Sequence, residues 1–203
     1  MKTLANVFAA VGLLALCYCA VELARGPLYQ AREARRFARE RLAGQRPADK
    51  PSPFTSATTP ERPYPSDGSA VAVLTVARLG FSTIVVEGAE EGELSLGPGH
   101  IRGTSLPDGG GNVGVAGHRD TFFRPLRLIR KDDTIQVTTH EGEYEYKVVS
   151  TEIVGPADIQ VLYPTGRETL TLVTCYPFEF VGPAPKRFIV RADCVDCPHQ
   201  YRQ

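Results

Sequence analysis

Between residues 69 and 193, seven short stretches rich in β-branched and aromatic residues (70–76, 81–86, 112–116, 134–138, 144–149, 169–175 and 187–192) alternate with turns of Gly, Pro and Asp. Runs of this length and composition, punctuated this regularly, predict an all-β barrel or sandwich. Helical turns are expected only near 90–94, 121–128 and 158–162. No long amphipathic pattern is present in this region, which argues against a parallel doubly wound sheet. With 42% hydrophobic residues in a chain of 203, the body can bury a core without relying on disulfides.

The N-terminus follows different rules. Residues 3–21 carry no charge, and as a helix they would extend about 28 Å, close to the hydrocarbon thickness of a bilayer. The segment 1–24 therefore reads as a transmembrane anchor, with a signal peptide as its rival. A clean small-residue cleavage site is missing, because Tyr18 interrupts the pattern around Cys17, Cys19 and Ala20. Residues 28–43 place Leu28, Ala31, Ala34, Ala38 and Leu42 among charges, as a short polar helix leaving the membrane would. Residues 44–68 contain six Pro, which predicts an extended spacer. The domain reading is thus an anchor at 1–24, a polar helix and spacer at 25–68, a catalytic body at 69–193 and a Cys-containing tail at 194–203.

Charge narrows the partners. Lys/Arg and Asp/Glu balance at 23 each, but residues 1–50 hold nine cations against four anions, and the rest 14 against 19. An acidic body without a cationic run excludes nucleic acid, which needs a clustered basic footprint. Six arginines follow the apolar segment while Lys2 alone precedes it. By itself, that asymmetry places the body in the cytoplasm.

Three places carry candidate chemistry. The stretch Gly114-Val115-Ala116-Gly117-His118 delivers a His at the end of a strand, among small residues that leave room for a ligand. Cys175 ends the strand 169–175, on the same face as Thr171 and Val173. Arg187 opens the next strand, and a hairpin would bring it back toward Cys175. Each has a bland reading: a Cys in a β core is usually a small hydrophobe, and a strand-end His or Arg is usually structural or solvated. Together they form a minimal set for thiol acyl transfer: nucleophile, proton donor and oxyanion stabiliser.

Several segments resemble the sortases, bacterial cysteine transpeptidases, and most closely their class D. They are Val86-Glu87-Gly88, Gly97-Pro98-Gly99-His100, Ala116-Gly117-His118-Arg119-Asp120, Thr169-Leu170-Thr171-Leu172-Val173-Thr174-Cys175-Tyr176-Pro177 and Pro185-Lys186-Arg187-Phe188-Ile189-Val190. The resemblance implies an eight-stranded β-barrel behind a membrane anchor, with the barrel outside the cytoplasm. That layout overrides the charge argument. It further implies that Cys175 attacks an LPxTG-like sorting signal to form a thioester, that His118 exchanges protons with the leaving and incoming amines, and that Arg187 holds the oxyanion. The partners implied are proteins bearing a C-terminal sorting signal and an amine acceptor, either peptidoglycan or a pilin lysine; no cofactor or metal is called for. Thr174 is expected to shape the substrate pocket; His100 is a candidate substrate contact, although a His in such a turn cluster is more often structural. Asp120 reads as a loop-former, and Glu90, Glu91 and Glu93 as a solvated face lacking the spacing of a calcium loop.

The tail pair Cys194 and Cys197 offers too few ligands for structural zinc and reads as a local disulfide or part of a disordered tail. The competing functions are another envelope cysteine enzyme, such as an L,D-transpeptidase, and a non-catalytic peptide-binding β module with Cys175 in its core. An L,D-transpeptidase carries Ser-His-Gly before its Cys, whereas Leu172-Val173-Thr174 precede Cys175 here.

Overall fold

A computed structural model describes residues 2–44, 64–180 and 182–197. Eight strands form the body: β1 (Ala70–Val76), β2 (Phe81–Glu87), β3 (Gly99–His100), β4 (Asn112–Gly117), β5 (Thr134–Thr138), β6 (Glu143–Val154), β7 (Thr169–Tyr176) and β8 (Lys186–Asp196). They close into a barrel in the order β1-β2-β3-β4-β7-β8-β6-β5, with β5 pairing back onto β1. Two neighbouring pairs, β2 with β3 and β4 with β7, are parallel, and the others are antiparallel. The expected helical turns are α2 (Glu91–Leu94) and two 3-10 turns at Arg124–Leu128 and Ile159–Leu162.

Alternation along the strands fills the barrel. Leu74 and Val76 of β1, Val113 and Val115 of β4, Leu170 and Leu172 of β7, and Val190 and Ala192 of β8 all enter one core with Phe123, Leu126, Tyr144 and Tyr146. Their neighbours in sequence face outward, because successive side chains in a strand point to opposite sides. Burial drives the Tyr146 phenol well above its ordinary pKa. At the strand ends, Asp133 accepts a forked pair of bonds from Arg78, which holds its carboxyl below the usual carboxylate range.

The helix α1 (Lys2–Gly44) runs unbroken through residue 24, with Pro27 inside it. At 43 residues it extends about 64 Å. Its first part is apolar, with mean hydropathy 2.2 over the best window and none of that window buried. Its second part packs on the barrel: Leu28 and Leu42 are exposed, while Phe37 is buried. Phe37 stacks against His140 at 4.3 Å, and Arg41 pairs with Glu143 at 2.9 Å. Residues 45–63 of the expected spacer lie outside the described residues.

Strand β8 continues through Cys194 to Asp196, and Cys194 is disulfide-bonded to Cys197, the local pairing that is one of the two readings of the tail.

Candidate functional site

The site is built where two parallel strands end together. In the β4–β7 ladder, Gly117 is the partner of Thr174. His118 and Cys175 are the next residues on each chain, His118 just past the end of β4 and Cys175 still within β7, on strands about 4.8 Å apart. Val113 and Val115 enter the core, so Gly114, Ala116 and His118 take the outer face; Thr171, Val173 and Cys175 do the same on β7. Cys175 is a free, half-buried thiol, and the His118 side chain is 34% exposed. The nucleophile reading needs both properties, since a thiol sealed in the core could not reach a peptide.

Arg187 completes the set from the other side. It is the antiparallel register partner of Cys175, and directly opposed residues project to one face with Cβ atoms about 4.5–5.5 Å apart. Its Nη1 donates to the carbonyls of Ala184 and Lys186, at 3.2 and 3.0 Å. Among the described residues, Nε and Nη2 have no hydrogen-bond acceptor, and a planar donor edge remains for an incoming carbonyl.

Behind His118 the chain is held by packing that only glycine permits. A Cβ on Gly117 would meet the Phe123 ring at 2.6 Å. Phe123 is fully buried, and its backbone N–H donates to the His118 carbonyl at 3.0 Å, folding the chain back just after the imidazole. Arg119 extends toward the β7–β8 loop, donates to the Gly182 carbonyl at 2.8 Å and lies 5.8 Å from the Phe180 ring centroid. Arg127 pairs with Glu179 of the same loop at 3.2 Å. The loops after β4 and β7 are therefore latched to each other. Asp120 lies exposed in the first of them.

Below the three residues, the outer face of β4 and β7 forms a floor of small side chains. Gly114 lies against Leu162 and Thr104, where a Cβ would come within 3.0 Å of each. Asn112 pins the turn carrying Leu162, donating to the carbonyls of Val161 and Tyr163 while accepting from Thr169 and Thr171. Gly114 and Thr171 are covered there, and the part of this face open beside Cys175 is that of Ala116 and Val173.

Thr174 and His100, the two candidate substrate-binding residues, are both buried. Thr174 points inward, is 2% exposed and donates its hydroxyl to the Gly117 carbonyl at 2.6 Å. It shapes the site by joining the two strands and offers nothing to a ligand. His100 is fully buried, with Nδ1 2.8 Å from Glu87 and Nε2 2.9 Å from the Ser105 carbonyl. Both ring nitrogens are engaged, so the loop histidine is a structural residue of β3. Sequence reasoning passed over Glu91, taken only as part of a solvated face: it is 91% exposed, yet its carboxylate reaches 3.9 Å from His118 Nε2. Only the course of the β2–β3 loop makes that approach, and no local pattern announces it.

Comparison with known proteins agrees with this geometry. The Sortase domain family matches residues 74–195, more than half of the chain. The chain belongs to the sortase family, whose members are cysteine transpeptidases. Sortase D of Bacillus subtilis (strain 168) is 36% identical over 127 residues, covering 62% of this chain and 64% of that protein. The chain thus matches somewhat less than two thirds of that relative's length. Among solved structures, a Clostridium perfringens sortase D5 transpeptidase superposes with a TM-score of 0.60 at 27% identity, over 66% of this chain and 83% of that one. A Clostridium perfringens sortase C with the C-terminal cell wall sorting motif superposes with a TM-score of 0.59 at 24% identity, over 64% and 73% of the two chains. The eight-stranded barrel and the expected kinship with class D sortases both stand.

Proposed function

We propose that this protein is a membrane-anchored sortase that cleaves an LPxTG-like sorting signal and transfers it to an amine. The observation that carries the reading is the convergence of three residues from three adjacent strands: Cys175 opposite Arg187 across β7–β8, with His118 leaving β4 beside it. The sorting signal is bound with its scissile carbonyl above Cys175, beside the half-buried Ala116 and Val173. The thiolate sulfur adds to that carbonyl, and the developing oxyanion takes hydrogen bonds from the free donor edge of Arg187. His118 gives a proton to the departing amine, the C–N bond breaks, and a thioester to Cys175 remains. An incoming amine then loses a proton to His118 as it attacks, the C–S bond breaks, and the Cys175 thiolate and protonated His118 are regenerated. The Clostridium perfringens sortase C with a sorting motif supports the substrate class.

The apolar first part of α1 holds the enzyme in the membrane as a single span, with the barrel on the extracytoplasmic side where sorting signals are displayed. A reporter that is active only outside the cytoplasm, fused after Gln203, should be active; activity from a cytoplasmic reporter alone would contradict the placement.

Transfer is tested with purified full-length protein, an LPxTG-like peptide and a primary amine of distinct mass. The expected product is the N-terminal peptide fragment joined to that amine, with less product from Cys175→Ala than can be detected. An intact peptide with every amine acceptor offered would overturn the reading.

A further inference from the structure

The second part of α1 reaches both loops that frame His118. Gln30 reaches the first of them, the β2–β3 loop, with a single side-chain amide. Its Nε2 donates to the Ile84 carbonyl at 3.1 Å and to the Leu96 carbonyl at 2.9 Å. Its Oε1 accepts from the Ile84 N–H at 2.7 Å and from the Thr83 hydroxyl at 3.0 Å. Bonding both backbone groups of Ile84 is what a neighbouring strand would do, at a point on β2 just before its pairing with β3 begins at Val86. Gln30 therefore serves as a one-residue strand on that edge.

The bond to Leu96 leads to the site. Leu96 closes the loop between β2 and β3, and this loop contains α2 and presents Glu91 3.9 Å from His118 Nε2. Two glycines admit the helix to this position. A Cβ on Gly97 would collide with the Gln30 amide nitrogen and lie 2.8 Å from the Ile84 carbonyl oxygen. A Cβ on Gly26 would lie 2.8 Å from the Ser95 carbonyl oxygen and 3.3 Å from the Phe122 ring. Ser95 belongs to the β2–β3 loop and Phe122 to the loop that follows His118. One face of α1 therefore touches the chain on both sides of the imidazole.

We propose that the membrane-proximal part of α1 is a component of the catalytic scaffold, with Gln30 a positioning residue that sets the β2–β3 loop, and through it the surroundings of His118. The membrane anchor and the proton-transfer group are thereby one mechanical unit. Gln30 acts at a distance, through Leu96 and α2, and touches neither substrate nor the reacting atoms. Its effect on turnover rests on the sortase reading; its effect on the loops does not.

The test uses the full chain in lipid nanodiscs and compares wild type with Gln30→Ala, Gln30→Glu and Gly26→Ala. Gln30→Glu keeps the acceptor toward the Ile84 N–H and Thr83 but loses the donor to the Ile84 and Leu96 carbonyls. Arg35→Ala, at an exposed position on the helix, is the control. Amide hydrogen exchange should rise across residues 88–97 and 118–123 in Gln30→Ala and Gly26→Ala, with β7 and β8 as protected as in wild type. Gln30→Glu should fall between. Turnover of an LPxTG-like peptide should drop ~10-fold in kcat with KM near its wild-type value, because misplacement of the proton-transfer group affects the chemical step rather than binding. Unchanged exchange in both loops for both variants would overturn the proposal. Wild-type protein that cleaves no peptide would sink the sortase reading, while the exchange data would still decide the role of the helix.

Discussion

The Thr174 hydroxyl donates to the Gly117 carbonyl at 2.6 Å, one residue before Cys175 on one strand and one residue before His118 on the other. This buried bond fixes the ends of β4 and β7 relative to each other, and so sets where the thiol and imidazole emerge. Thr174→Val keeps the volume and removes the donor, a stability loss of about 1 kcal/mol. Its effect on kcat should be larger than that loss suggests, ~10-fold or more, because small misplacements of reacting groups are costly. Thermal melts and peptide turnover measured together check this, and wild-type kcat would speak against the strand-end coupling.

His118 and Arg187 differ in the chemistry they supply, so their variants should differ in what rescues them. His118→Ala should lower transpeptidation by at least the ~10²-fold typical of lost acid-base catalysis. Alkylation of Cys175 by a small electrophile should continue, because that step needs no leaving-group proton. Arg187→Ala should cost on the order of 10²-fold, and Arg187→Lys should recover little, since a point charge cannot reproduce a planar donor edge. Steady-state kinetics on the three variants separates these outcomes.

His100 should matter to folding rather than turnover. Replacing it with Ala leaves Glu87 fully buried, with only Tyr64 at 3.0 Å and the more distant Arg102 to answer its carboxylate. Loss of one partner from a buried pair costs on the order of 3 kcal/mol, a melting-temperature drop of roughly 10 °C. Protein that remains folded at the assay temperature should keep most of its kcat. A large kcat loss without destabilisation would return His100 to the substrate site.

Stability should respond to acid through Asp133. Its hydrogen bond from Arg78 is the main cause of its depressed pKa, followed by burial opposing it and by the Arg130 backbone N–H. A carboxyl depressed in the fold contributes stability that is fully present above its unfolded value of ~3.9, and that contribution fades as pH falls through the folded value. Asp133→Asn should therefore melt below wild type at pH 7, with the gap narrowing once pH drops below about 4. A gap independent of pH would show that the carboxylate charge contributes nothing.

The legible parts of this protein are those specified locally. Alternation along 112–116, 169–175 and 187–192 located β4, β7 and β8, and with them His118, Cys175 and Arg187. The two residues of β3 have no periodicity to read, for they are held by parallel pairing to Val86 and Glu87 and antiparallel pairing to Val115 and Ala116. β6 runs to Val154, five residues past its predicted end, because the long β8 continues to pair with it through exposed positions. The face that α1 turns to the barrel is set by tertiary fit, such as that of Gln30 on β2, and no local pattern specifies it. Burial of His100 is likewise tertiary, arising where β3 brings it to Glu87.

The most direct test is the mass of the intact protein after brief exposure to an LPxTG-like peptide without an acceptor amine. The account predicts a species heavier by the acylating fragment, mapped to Cys175, sensitive to hydroxylamine and absent from Cys175→Ala, with Cys17→Ala and Cys19→Ala forming it as wild type does. Acylation elsewhere, or peptide cleavage that persists in Cys175→Ala, would contradict it.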